Sequence, residues 1–295
     1  MSSLSQSISG FSLELFKTLE KDAKTSNVSY SPFSITTALS MVLLGARGET
    51  AAQMEKTSQD EAIHQAFKEL LSTLNKPNQA YELSVANRLY GDKNFTFSKD
   101  YILGTEKFYN ATLESVDFKH NAEAARVKIN LWVESQTKEE GTWMKKFNKD
   151  NTKDAPFFLN KLETKMTSEK FAKLLNSENM QITEVLLHVP QFKLEQTYNL
   201  EDVLASMGIT KLFKNADLSG MAKGADLQVS KVIHKCFIEV NEEGTVAAAA
   251  TGITVVTTSL PLNPPEEFKV DHPFLFFIKH DATNSLLFFG KVISP

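Results

Sequence analysis

Six histidines, one cysteine and one run of small residues are the side chains whose chemistry must be weighed first. His64, His120, His188, His234, His272 and His280 are scattered, and none falls in a metal-binding pattern such as H-E-x-x-H. Cys236 stands alone, so neither a thiolate metal cluster nor an internal disulfide framework can form. The glycines never group as a phosphate-cradling G-x-x-x-x-G-K loop, and no G-x-S-x-G nucleophile elbow occurs. An enzyme reading therefore has no positive support, and no cofactor or metal is implied. His234 and Cys236 alternate with Val232, Ile238 and Val240 on one face of a strand expected over 227–240. On that apolar face the histidine reads as a core residue satisfied by a nearby hydroxyl rather than as a base. The cysteine reads as an inert buried thiol.

The segment after that strand is the most informative. Glu242 and Glu243 precede Gly244, Thr245 and Val246, then Ala247, Ala248, Ala249, Ala250 and Thr251. Propensity alone makes four alanines a helix, and a linker is a second reading. A third is a chain that slides between existing strands, since small side chains meet little steric resistance. Alternation then places Thr245, Ala247, Ala249 and Thr251 on one face of the new strand and Val246, Ala248 and Ala250 on the other.

The elements around these residues come from periodicity. Phe11, Leu15, Phe16 and Leu19 recur at helical spacing, so the N-terminal segment reads as an amphipathic helix of the fold rather than a secretory signal. Ser31 followed by Pro32 is a helix start, with Ile35, Leu39, Val42 and Leu43 on one face and Gly45 at the end. Thr50 and Gln53 have capping-box spacing for the next helix. Ile63, Phe67, Leu70, Leu71 and Leu74 make a further stripe, and helices are also expected after Ser98, over 121–137 and over 200–207. Strands are expected near 81–89, 113–118 and 185–189. Residues 138–165 read as a loop-rich connector. Phe274 to Ile278 and Leu286 to Phe289 form an apolar hairpin, buried on both faces.

Length sets roughly two domains as a starting prior, but no linker or repeat divides the 295 residues, and one α+β domain is expected. The formal charge of −4 gives no basic excess for nucleic acid. No apolar run reaches the ~18 residues a membrane span needs. The sequons at Asn27, Asn94 and Asn110 are short enough to arise by chance.

Three stretches carry a specific likeness. They are Val240 to Thr251, then Asp271-His-Pro-Phe-Leu-Phe-Phe-Ile278, then Leu287-Phe-Phe-Gly-Lys291. Upstream, Asn27 to Ile35, Leu43 to Gln53, Ala86-Asn-Arg-Leu-Tyr-Gly91, Ile129-Asn-Leu-Trp-Val133 and Leu218-Ser-Gly-Met221 agree. In these the chain resembles the serpin family, its ovalbumin-type branch in particular. The resemblance implies one α+β domain over 1–295, with helices packed on large, mostly antiparallel sheets and a reactive loop at about 242–265. It implies inhibition of a serine protease as a suicide substrate. The protease cuts the loop, and the loop inserts into the main sheet with the acyl-enzyme attached.

By this likeness Glu242, Glu243, Gly244, Thr245, Val246, Ala247, Ala248, Ala249 and Ala250 are the hinge, and the reactive bond lies near Thr258-Ser259. Val246 stands where relatives often carry Glu. Val255, Val256, Thr257 and Thr258 are small or β-branched and no Arg or Lys occurs in the loop, so an elastase-like enzyme is the expected partner, with a cysteine protease as the alternative. Ser31, Ser34 and His234 match positions beneath the opening of the sheet that control its parting. A cytoplasmic location is implied, with export without a cleaved signal as an addition.

The likeness also exposes two breaks. After Gln136-Thr137 the family continues into a long central strand, whereas here Lys138 to Gly141 leads directly to Trp143. After Glu163-Thr-Lys165 further strands are missing before Met166. The expected consequences are an incomplete main sheet, loss of the usual Asn partner of the serine and histidine gatekeepers, and self-association through exposed strand edges. The alternative function is accordingly a non-inhibitory or inactive serpin-like protein.

Overall fold

The computed structural model describes residues 3–21, 23, 25–54, 61–76, 87–136, 165–180, 185–224, 227–240 and 266–294. The hinge, the Thr258-Ser259 bond and most of the 138–165 connector lie outside the described residues.

The first helix, α1 (Ser3–Glu20), follows the predicted stripe: Leu4, Ile8, Leu15, Phe16 and Leu19 are buried. It packs on a three-stranded antiparallel sheet of order β1 (Val28–Tyr30), β9 (Ser285–Val292), β8 (Phe274–His280). Phe289 of β9 is the centre of this core. Its ring lies 4.7 Å from that of Phe16, 5.2 Å from Phe171 and 6.0 Å from Tyr30. Burying such a ring contributes about 1.5–3 kcal/mol, so this cluster joins the two ends of the chain firmly.

The C-terminal hairpin thus gains a third strand, which a two-stranded ribbon needs for stability. It is not buried on both faces as expected. Strand β9 is, but Phe277 and Ile278 of β8 are 37% and 40% exposed, because β8 is the edge of the sheet among the described residues.

Helix α2 (Pro32–Gly45) starts as predicted, with the Ser31 hydroxyl accepting the N–H of Ser34 and Pro32 in the first turn. Gly45 ends it for a reason the sequence does not express. The next residue is extended rather than left-handed (φ −74°), and a Cβ on Gly45 would stand 2.2 Å from Met221 Cγ. The glycine permits close packing, not a turn. Helix α3 (Gly48–Met54) begins two residues before Thr50, so the capping box does not form. The Thr50 hydroxyl accepts the N–H of Asp217 instead, and Gln53 Oε1 accepts those of Thr210 and Lys211. The Thr50 hydroxyl and Gln53 Oε1 thus serve distant backbone, while Gln53 Nε2 donates to Glu49 within the helix.

Helices α4 (Glu61–Leu74) and α5 (Lys99–Tyr109) follow their apolar stripes, with strand β2 (Leu89–Asp92) before α5. Strand β3 (Leu113–Val116) pairs parallel with β2, and α6 (Ala122–Gln136) follows. Next come α7 (Ser168–Leu175), β4 (Val185–His188), β5 (Phe192–Asn199) and α8 (Glu201–Ser206). Gly208, at φ +97°, adopts the left-handed conformation beyond α8. Strand β6 (Ile233–Val240) is shorter than the expected 227–240 and pairs antiparallel with β5. A parallel ribbon of β4 and β7 (Glu266–Lys269) is exposed at every residue, including Leu186, Leu187 and Phe268.

Candidate functional site at the N-terminus of helix α2

Two separate ribbons are tied to one turn of helix. The β5–β6 ribbon reaches it through His234, whose Nε2 accepts the backbone N–H of Ser31 at 3.0 Å. The β2–β3 ribbon reaches it through Asn87, two residues before β2, whose Oδ1 accepts the hydroxyl of Ser34 at 3.1 Å. The turn is fixed for the task by its own cap, in which Ser34 N donates to Ser31 Oγ at 3.1 Å. Ser31, Ser34 and His234 are therefore brought together as the sequence suggests.

The structure changes one detail and adds another. The partner of His234 is a backbone amide rather than a hydroxyl. Asn87 supplies an asparagine contact to Ser34 from within the Ala86-to-Gly91 motif; that quoted motif was the available signal. Sequence reasoning also missed Tyr198, the cross-strand partner of His234, whose hydroxyl accepts the N–H of Ser29.

Electrostatics hold the cluster neutral. His234 is 7% exposed, and burial pushes its pKa down to about 4. A neutral ring is what its geometry requires, because only an unprotonated nitrogen can accept from Ser31. Burial pushes the Cys236 thiol and the Tyr198 hydroxyl up to about 12, so Cys236 is no nucleophile at neutral pH. The β2–β3 ribbon is braced from its other side: Arg88 pairs with Glu114 at 2.9 Å and lies 4.6 Å from the Trp132 ring of α6.

The strand ladders define what this arrangement can accept. Among the described residues, β6 pairs only with β5, and β2 only with β3. Each therefore has one ladder neighbour among the described residues. The turn at Ser31–Ser34 is hydrogen-bonded to both ribbons. Among the described residues no group of three His, Cys, Asp or Glu is placed to hold a metal, and no helix is long and apolar enough to cross a membrane.

Comparison with known proteins identifies the family. The family model described as "Serpin (serine protease inhibitor)" matches residues 6–140 and 158–295. The chain belongs to the serpin family. Mouse leukocyte elastase inhibitor A is 37% identical over 381 aligned positions, covering all of both chains. Leukocyte elastase inhibitor of Xenopus tropicalis is 39% identical over 381 positions, and human serpin B4 is 37% identical over 392, with the same full coverage. These alignments are far longer than the 295 residues aligned, so stretches of these serpins have no counterpart here. Uncleaved ovalbumin, at 26% identity, and a tumour-suppressing serpin, at 25%, superpose with TM-scores of 0.81 over the full length of each chain. The ovalbumin-type resemblance and the mixed serpin fold are thereby established. Membership in a family of serine protease inhibitors makes the chain an inhibitor rather than a catalyst.

Proposed function

We propose that this serpin inhibits an elastase-like serine protease as a suicide substrate through its reactive loop. The protease acylates itself on the loop near Thr258-Ser259. The released segment from Glu242 onward then enters the sheet beside β6, and the attached enzyme is displaced before deacylation. The observation that carries this reading is the tie of both ribbons to one helical turn through the Ser31–His234 and Ser34–Asn87 hydrogen bonds. Insertion gains ladder hydrogen bonds along β6 and burial of small side chains, which must exceed the ordering entropy of the loop. The small residues Thr245, Ala247 and Ala249 suit that entry, as does the backbone freedom of Gly244.

A second reading is favoured by a different observation. Neither β2 nor β6 has a second neighbour among the described residues, and the family alignments leave stretches unmatched. If the missing strand is needed to guide insertion, the loop is cut as an ordinary substrate. Incubation with neutrophil elastase separates the two. Suicide inhibition gives an SDS-stable complex, cleavage within residues 253–262 by mass spectrometry, and a higher melting temperature of the cut protein. Cleavage without a complex and without a gain in melting temperature establishes the substrate reading. Cutting only outside that window refutes the assigned bond.

A further inference from the structure

The parallel ribbon of β4 and β7 has two unlike faces. Its register pairs Val185 with Glu266, Leu186 with Glu267, Leu187 with Phe268 and His188 with Lys269, and side chains alternate between faces along each strand. One face therefore carries Leu186, His188, Glu267 and Lys269. There Glu267 Oε1 lies 3.3 Å from His188 Nε2 and 2.7 Å from Lys269 Nζ, so charge covers this side. The other face carries Val185, Leu187 and Phe268, with Glu266 at its end. These three apolar side chains are 44%, 57% and 58% exposed. Exposed apolar residues scattered singly are ordinary, but three together on one face, opposite a charged one, mark a contact surface. A two-stranded ribbon is also marginal in water until something packs on it.

Chain length indicates what meets that surface. Glu266 is seven residues after Ser259. Seven residues span at most about 25 Å when fully extended, so the start of β7 lies within that distance of the Thr258-Ser259 bond whatever path the chain takes between them. A protease–inhibitor interface buries about 800 Å² on each partner and takes in about 20–30 residues a side. The loop window 253–262 supplies ten of them. The remainder has to come from surface close to the bond, and β7 is the described strand tethered nearest to it. Val240, where β6 ends, is eighteen residues before Thr258.

We propose that the Val185–Leu187–Phe268 face is a second contact surface for the target protease, one that fits an elastase-like enzyme presenting an apolar patch beside its cleft. The inference rests on the proposed reactive bond but not on insertion of the loop, because docking precedes both cleavage and insertion. Burial of apolar surface supplies the affinity, in addition to the contacts of the loop within the cleft.

Neutrophil elastase whose catalytic serine is replaced by alanine tests it, because that enzyme docks without cutting. Calorimetric titration of the full chain with this enzyme is expected to show binding that Leu187→Ser with Phe268→Ser weakens about tenfold or more, with the melting temperature unchanged. Phe268→Asp alone gives the same loss and serves if the double variant folds poorly. Leu186→Ser, on the charged face of the same ribbon, leaves binding unchanged. If wild type is cut by active elastase but never trapped, the suicide reading fails, while the loss of affinity in the double variant still supports the docking face. If wild type is trapped and the double variant binds the inactive enzyme as tightly as wild type does, the docking face is overturned and the suicide reading stands. An equal loss in Leu186→Ser, or no measurable binding of the inactive enzyme by wild type, also overturns the docking face.

Discussion

Replacement of His234 by Gln gives a direct measure of the tie between β6 and helix α2. In the unfolded chain a histidine takes up a proton near pH 6.5, whereas burial holds the folded ring neutral down to about 4. Between those values the unfolded state binds more protons than the folded state, so stability rises with pH across the window and is lost as pH falls through it. At 1.36 kcal/mol per pKa unit the loss between pH 7 and pH 4 amounts to about 3 kcal/mol. The neighbouring Cys236 and Tyr198 do not add to it, because burial keeps both neutral in this range. Urea unfolding of wild type and His234→Gln at pH 7.5, 6, 5 and 4 isolates the effect, since the carboxylates titrate alike in both proteins. The variant is weaker at pH 7.5 by up to about 1–3 kcal/mol, because its amide oxygen replaces the packed ring nitrogen as acceptor of the Ser31 N–H and its NH2 group is buried in an apolar strand face. The wild type then loses about 3 kcal/mol more than the variant on acidification, and the two curves converge. Parallel curves would falsify the assignment of a neutral, accepting His234.

Gly45→Ala places a methyl against Met221 Cγ and destabilises the protein by about 1–3 kcal/mol. Met221→Ala in the same chain recovers part of that loss, read by urea midpoint, and the absence of any recovery refutes the close-packing role. A double-mutant cycle of Ser34→Ala and Asn87→Ala gives a coupling energy of about 0.5–1.5 kcal/mol, as expected for one hydrogen bond. Strictly additive losses would show that the pair does not tie β2 to α2. Thr245→Arg at the proposed hinge abolishes SDS-stable complexes while loop cleavage by elastase continues; undiminished complex formation sinks the insertion step.

Apolar periodicity by itself determined most of the helices and several of the strands. The reason is local: a buried face repeats every three to four residues in a helix and every two in a strand, so α1, α2, α4, α5 and β6 are legible without their partners. Motif likeness also located Ser31, Ser34 and His234, because the cap chemistry of Ser31-Pro32 and the apolar face of β6 are written in adjacent residues. The partners of those groups were not legible. That His234 accepts from a backbone amide, that Asn87 meets Ser34, that Gly45 answers to Met221 and that Gln53 serves Thr210 are all contacts across long stretches of sequence. Nor could the hairpin pattern tell that β9 is central and β8 an edge. Such facts depend on which surfaces approach in three dimensions, where the energy lies in desolvation and in satisfying particular donors. No local spacing encodes either until the chain has folded.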